Sequence, residues 1–335
     1  MKLTRRTINW IVFFVLVAIV LVWFVTNFNE IRDWYDVRGV ALRQAVVTGI
    51  LTGGVLGLVA MGLTMIFGLL DIINFAHGAL MTVGMYITFV LFDSYGVDPY
   101  ISILVTVPAL FIIGAVVQRT IIHPARNAPH HNQLLLTLGL ALFVEHLLQV
   151  IFTATPRSIR LDYGRGPTEI GFFTIDFPIR IMGTTITFPR LAAFLFALAL
   201  TAFLYLLLQR TDLGKAIRAT AQDKDGAALV GINIERINMI TFAIGTACVG
   251  AAASLVLPFL AVDPVAGNTF NITAFVIVVL GGMGNVVGAL LGGLIIGITQ
   301  ELSVAIDPGI PKLLGVFVAF ILVLFFRPQG LLGRG

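Results

Sequence analysis

Apolar residues in this chain come in long, nearly unbroken runs, with the polar residues gathered into the short stretches between them. A run of about 20 apolar residues is the length of a bilayer-crossing helix, the one single-segment structure that satisfies its own backbone in hydrocarbon. The first run, Ile8 to Val25, follows Lys2, Arg5 and Arg6 and lacks a small-x-small cleavage site. It therefore reads as a retained helix rather than a signal peptide. Further runs occupy Ala45–Leu70, Ile72–Phe92, Tyr100–Gln118, Leu134–Thr153, Leu191–Gln209 and Met239–Ala261. Ile272–Leu280, Val286–Ile298 and Leu313–Phe326 complete the set, and the two segments around Gly281–Asn285 are short for a full span. The pattern predicts an all-α polytopic membrane protein of about ten transmembrane segments.

Basic residues mark the cytoplasmic side. With the N-terminus inside, the connections Arg119–Gln133 and Arg210–Arg236 and the tail bearing Arg327 and Arg334 also fall inside, so both termini are expected in the cytoplasm. Most of the other basic residues sit in two long external segments, Asn27–Arg43 and Thr155–Arg190, where the rule is weaker. Parity then requires Ile272–Ile298 to enter and return, breaking at Gly281-Gly282-Met283-Gly284-Asn285. The same logic makes Ala45–Phe92 an in-and-out pair that turns near Asp71–Gly78. Each half reads as span, hairpin, span: a parallel pseudo-repeat with a broken hairpin in each half. Broken helices at membrane depth are tolerated only in protein or beside a cavity, and paired interruptions point to a transport pathway. Outside the membrane, alternation around Met182-Gly183-Thr184 predicts a short external β-hairpin.

Composition sharpens this picture. Of 335 residues, 58% are apolar and 11% charged, against about a quarter charged in soluble domains, which excludes a soluble enzyme, a disordered scaffold and a secreted disulfide module. The formal charge of +4 suggests nucleic acid until the charges are placed; they flank membrane segments, and no nucleic-acid partner is expected. Cys248, the single cysteine, cannot form an intrachain disulfide.

Polar residues inside the apolar runs are the candidates for chemistry. If helical, Asp71, Asn74 and Gly78 share one face, with His77 on its flank. Asp71 and His77 fit a capped cytoplasmic turn, a hydrogen bond between helices, or direct substrate contact, and the sequence leaves all three open. Glu145-His146 sits centrally in its segment, as a proton relay or gate, or as a polar pair turned into the bundle interior. His123, His130 and His131 form one loose group without metal-ligand spacing, so no metal, cofactor or catalytic constellation is expected. Gly49, Gly53 and Gly57, and Gly284, Gly288 and Gly292, recur every four residues, the spacing of close helix–helix contacts.

The loop Arg210–Arg236 carries the most information. Asp212 suits the cap of a short helix beginning near Leu213, and Gly231 with Asn233 suits the end of a second. Ile217, Ala221, Ala228 and Leu229 offer a small apolar face; Arg218, Asp223, Lys224 and Asp225 offer polar sides. A compact pair of this kind at the cytoplasmic surface suits docking on a protein.

Four stretches carry a family resemblance. Gly62-Leu-Thr-Met-Ile-Phe-Gly-Leu-Leu-Asp-Ile-Ile-Asn-Phe-Ala-His-Gly78 closely resembles the signature of branched-chain amino acid ABC transporter permeases, the membrane subunits of high-affinity importers. Gly214–Asp223 followed by Ala228–Asn233 resembles that family's coupling loop; Leu280–Gly293 resembles its second broken hairpin; Arg327–Gly333 resembles its C-terminal ending. The likeness runs from Ala45 to the C-terminus, giving an N-terminal helix and external segment at 1–44 and a permease domain at 45–335 with its loop at 210–236. It implies a non-enzymatic prokaryotic cell-membrane subunit that forms the path for branched-chain or other hydrophobic amino acids. Its implied partners are two cytoplasmic ATPases, a second related permease in a heterodimer, an external substrate-binding protein and the lipid bilayer. The chain lacks Gly-x-x-x-x-Gly-Lys-[Ser/Thr], the usual phosphate loop for ATP. Gly214, Arg218, Asp223, Gly231 and Asn233 are the coupling residues on this view, and Asn74, His77, Gly282 and Asn285 border the translocation pathway. Urea and short-amide importers share most of these motifs, and an ion-coupled secondary transporter using Asp71 or Glu145 is the other alternative. The extension before Ala45 and the charge at Glu145 depart from the family pattern.

Overall fold

The computed structural model describes residues 28–70, 72–126, 128–159, 161, 166–170, 173–181 and 183–333. Ile8–Val25, the basic residues before it, and Asp71 lie outside the described residues. Helix α1 spans Phe28–Leu70, α2 Ala76–Tyr95 and α3 Pro99–Val117, which runs on into a π-turn at Gln118–Ile122. Helix α4 is His130–Phe152. Four short strands follow, β1 Gly166–Ile170, β2 Phe173–Phe177, β3 Ile179–Ile181 and β4 Thr184–Ile186. Then come α5 Phe188–Arg210, α6 Asp212–Gln222, α7 Lys224–Leu229, α8 Ile234–Val256, α9 Ala266–Gly281, α10 Val286–Ile306 and α11 Lys312–Phe326. Among the described residues seven helices are long and apolar enough to cross a membrane: α1 to α5, α8 and α10. Helices α9 and α11 are apolar but shorter. The chain is an all-helical polytopic membrane protein.

Two boundaries and one additional element differ from the sequence reading. The polar stretch before Ala45 is helical from Phe28 and continuous with the span, because hydropathy reports depth in the bilayer rather than backbone conformation. Val286–Ile298 continues to Ile306, so of the two segments at the second break only α9 is short, at 16 residues. The hairpin around Gly183 is present, with Ile181 paired to Thr184 and Gly183 at a φ of 79°. A second hairpin, β1 with β2, stands beside it in the chain and was not expected.

The loops declare their ends. Helix α2 stops where Gly96, at a φ of 65°, lets its N–H reach Phe92 O and the Val97 N–H reach Leu91 O. Two residues on, the Asp98 carboxylate accepts from the Tyr100 N–H at 2.8 Å and Pro99 opens α3.

The helices alternate between two ends of the molecule. At the strand end, the Gln44 amide brackets the Thr185 backbone, donating to its carbonyl at 2.9 Å and accepting its N–H at 2.6 Å. Tyr100 Oη donates to Pro189 O there, and Arg157 pairs with Val262 in an isolated bridge. At the opposite, loop end, Leu69, Ile217 and Ile237 form a buried cluster, and His123 lies 3.4 Å from Glu235.

Helices α1 and α8 are the centre, with 78% and 83% of their most apolar stretches buried, against 22% for α4. Small residues make this possible. A Cβ on Gly53 would lie 2.7 Å from Gly293 O, and one on Gly49 2.5 Å from Ile298 Cα. Helix α10 therefore meets α1 through Gly293 and Gly297, while Gly288 and Gly292 on its other face abut Gly281 and Ile277 of α9. Both glycine series predicted from the sequence are close contacts, although they face different partners. Hydroxyls tie the centre together: Ser254 Oγ lies 2.8 Å from both Thr88 Oγ1 and Thr106 Oγ1, joining α8 to α2 and α3. Such intramembrane hydrogen bonds contribute about 0.6 kcal/mol each.

Candidate functional site

Helices α6 and α7 form a compact two-helix projection. Thr211, rather than Asp212, caps α6: its hydroxyl accepts from the Gly214 N–H at 3.1 Å. Asp212 is the first helical residue and bonds Lys215 at 2.9 Å; that hydrogen bond and charge hold its carboxyl below the usual carboxylate range. Asp223 separates the two helices, its carboxylate accepting from the Asp225 and Gly226 N–H groups at 3.1 and 3.0 Å. Gly231 takes a φ of 85° in the turn after α7. Asn233, expected to end that helix, instead starts α8 by accepting the Arg236 N–H at 3.0 Å. Hydroxyl, carboxylate and amide side chains at these junctions satisfy orphan N–H groups that begin each helix.

The expected apolar face divides in two. Ile217 is buried against Leu69 and Ile237, seating the projection on α1 and α8. Gly214 is buried too, and a Cβ there would meet Leu207 O at 2.5 Å, so its part is to let α6 turn tightly under α5. Arg218, Ala221 and Ala228 are exposed. Leu229 and Val230 are 89% and 76% exposed at the tip, an apolar pair in a charged loop. Val230 was missed from the sequence; its place beside the turn glycine Gly231 was the available signal.

The first break lies at 72–75, which is not helical, so Asn74 and Gly78 do not share a helical face as expected. Asn74 is 1% exposed; its Oδ1 accepts the Ala76 N–H at 3.1 Å and its Nδ2 has no protein partner. His77, fully buried, places Nε2 3.0 Å from Val59 O, the hydrogen bond between helices that was one of its three possible roles. It is not at a turn on the loop end of the bundle, because Val59 lies ten residues, about 15 Å, before Leu69 along α1. The break is pinned from α4, where Thr137 Oγ1 accepts from Phe75 N–H and donates to Ile73 O. It is pinned again from α9, where Asn271 Oδ1 accepts from Gly78 N–H at 3.3 Å.

The second break, Gly282–Asn285, lies at the loop end, with Gly284 against Gly68. Gly282 has a φ of 99° and Asn285 caps α10 through the Gly288 N–H at 3.0 Å. The C-terminal tail folds back over it: Leu331 N–H donates to Leu280 O, Leu332 N–H to Gly281 O, and Asn285 Nδ2 to Leu332 O. Asn74 and His77 thus sit together, and so do Gly282 and Asn285, but the pairs lie at different depths. From Val59 to Gly68 is nine residues of α1, about 13 Å.

Glu145 and His146 separate. Glu145 Oε2 accepts from Asn268 Nδ2 of α9 at 3.1 Å, whereas His146 is exposed and pairs with Gln149 on its own helix.

Sequence comparisons identify the family. Residues 45–326 match the family described as branched-chain amino acid transport system, permease component. The chain is 31% identical over 300 residues to the high-affinity branched-chain amino acid transport system permease protein BraD of Pseudomonas aeruginosa, covering 87% of this chain and 95% of that one. It is 32% identical over 302 residues to LivH of Escherichia coli K12, with the same coverage. A probable branched-chain amino acid transport permease protein LivH of Methanocaldococcus jannaschii is 31% identical over 259 residues, 76% of this chain and 78% of its own. No solved structure matches at a significant level. A match through every central helix, with relatives aligned over nearly their whole length, places this chain in the branched-chain amino acid transport system permease family.

Proposed function

We propose that this chain is one of two permeases in an ATP-driven importer and forms half of the path for branched-chain or other hydrophobic amino acids. The observation that carries this reading is the α6–α7 projection, rigidly seated at Ile217 and presenting exposed Leu229 and Val230. Each of two cytoplasmic ATPases holds one such projection in a groove, Arg218 and Asp223 giving polar contacts while Gly214, Gly231 and Asn233 shape it. Closure of the ATPases on ATP pushes the projections and rocks the permeases between outward-open and inward-open states, each favoured by the ligand that binds it better. The second permease is a related chain, giving a heterodimer, and the β1–β4 region meets a loaded external binding protein. The permease domain comprises 45–335, preceded by a helix and an external segment in 1–44. In the membrane the chain has about ten segments with both termini cytoplasmic, and α1–α2 and α9–α10 are the broken hairpins of two parallel half-repeats. The break with Asn74 and His77 borders the path, and the break with Gly282 and Asn285 closes its cytoplasmic end.

The test is a tagged pull-down from native membranes in mild detergent, followed by reconstituted uptake. ATP-binding subunits and a second permease in the eluate, with leucine taken up in preference to urea, are the expected result. The chain recovered alone and active in a proton gradient would overturn the reading.

A further inference from the structure

Glu145 is a carboxylate near the centre of the membrane. It lies eight residues beyond Thr137, which pins the first break, and seven before Phe152, stacked on Tyr86 at the strand end. Those separations are about 12 and 10 Å along α4. A charge at this depth is unfavourable unless it meets water or a cation. Asn268, which donates to it, is neutral, so the hydrogen bond orients the carboxylate without balancing its charge.

The surroundings indicate what does. Asn268 is exposed in the first turn of the short helix α9, and its Oδ1 is a second acceptor beside the Glu145 carboxylate. One turn further, Asn271 accepts the N–H of Gly78, the residue after buried His77 at the first break. Along the same face of α9, at spacings of four and seven residues, Ile272 and Phe275 are exposed. An anionic, two-acceptor point next to an apolar strip complements a molecule with a cationic head and an aliphatic side chain.

We propose that Glu145 and Asn268 receive the α-ammonium group of the transported amino acid while Ile272 and Phe275 contact its side chain. The inference rests on the importer reading above and assigns to the pathway a substrate class, primary ammonium compounds, that excludes neutral short amides.

The whole importer in vesicles tests it. Glu145→Gln keeps an acceptor for Asn268 and removes only the charge; leucine uptake is expected to fall at least tenfold, with Glu145→Asp recovering part of it. His146→Ala, next door and exposed, should stay within twofold of the wild type. In a Cys248→Ala background, Glu145→Cys should react with a water-soluble methanethiosulfonate, and leucine with its binding protein should slow that reaction. Normal leucine uptake by Glu145→Gln overturns the proposal, as does loss of the companion permease from the purified complex, which would make Glu145 an assembly contact. Wild-type vesicles that move urea and no leucine would instead overturn the substrate reading on which it rests.

Discussion

Replacing Ile217 with Ala tests whether the α6–α7 projection transmits force. Ile217 is 6% exposed and packs on Leu69 and Ile237, which are 3% and 8% exposed, so the truncation leaves a cavity at the buried apolar seat between the projection and the central helices. Isoleucine-to-alanine changes in such sites cost about 2–5 kcal/mol. Because about 1.4 kcal/mol is a factor of ten, the ratio of seated to unseated projection falls by roughly 30-fold to several thousand-fold. An unseated projection still occupies its ATPase but no longer moves α1 and α8 with it. Reconstituted importer should then hydrolyse ATP while the number of amino acids carried per ATP drops at least tenfold. Ile217→Val, costing about 0.5–1.5 kcal/mol, should show an intermediate loss. Leu229→Ala, at an exposed tip, should leave the permease melting temperature unchanged and weaken ATPase retention in detergent. Unaltered transport per ATP in Ile217→Ala would refute the rigid-seat argument.

Three further outcomes follow from the geometry. Gly53→Ala puts a methyl against Gly293 O and Leu294 Cα and should destabilise the protein by about 1–3 kcal/mol, whereas Gly139→Ala, with open space around it, should not; detergent melting curves compare them, and equal melting refutes the packing account. Asn285→Ala removes both the α10 cap and the bond to Leu332, about 2 kcal/mol together, and should speed proteolysis of the tail after Arg327; an unchanged digestion rate counts against the fold-back. The Asp212–Lys215 pair lowers the carboxyl pKa, so its contribution is present at neutral pH and disappears as pH falls through that lowered value. Carbon-13 titration of aspartate side chains should show Asp212 moving upward in Lys215→Met, and no movement would discount the pair.

Much of the fold was legible because glycine and hydropathy act locally. Gly49, Gly53 and Gly57 announce a close helix contact whatever the partner, and the run Gly281–Asn285 announces a break whatever lies over it. What could not be read depends on distance in the chain. The tail's return onto Leu280 and Gly281 pairs residues about fifty apart, and the α10 glycines that meet α1 are 293 and 297, one helical face away from the most regular series. Depth was misjudged at the first break, because residues 72–75 are not helical and bring the chain back into the bundle, with His77 at the level of Val59. The cap at Thr211 was missed because Thr and Asp are both good N-caps and adjacent here, and only the backbone turn chooses between them.

The glycine seams on both faces of α10 have a mechanical consequence. Where backbones touch without side chains between them, there are no rotamers to rearrange, and sliding by less than a full repeat drives carbonyls into Cα atoms. Helices α1, α10 and α9 therefore behave as a single stiff slab. Relative motion is left to contacts cushioned by larger side chains, above all along α4, which is mostly unburied. A push delivered at Leu69 is thus felt at Gly49, some 30 Å away by about 1.5 Å per residue, without loss to internal flexing.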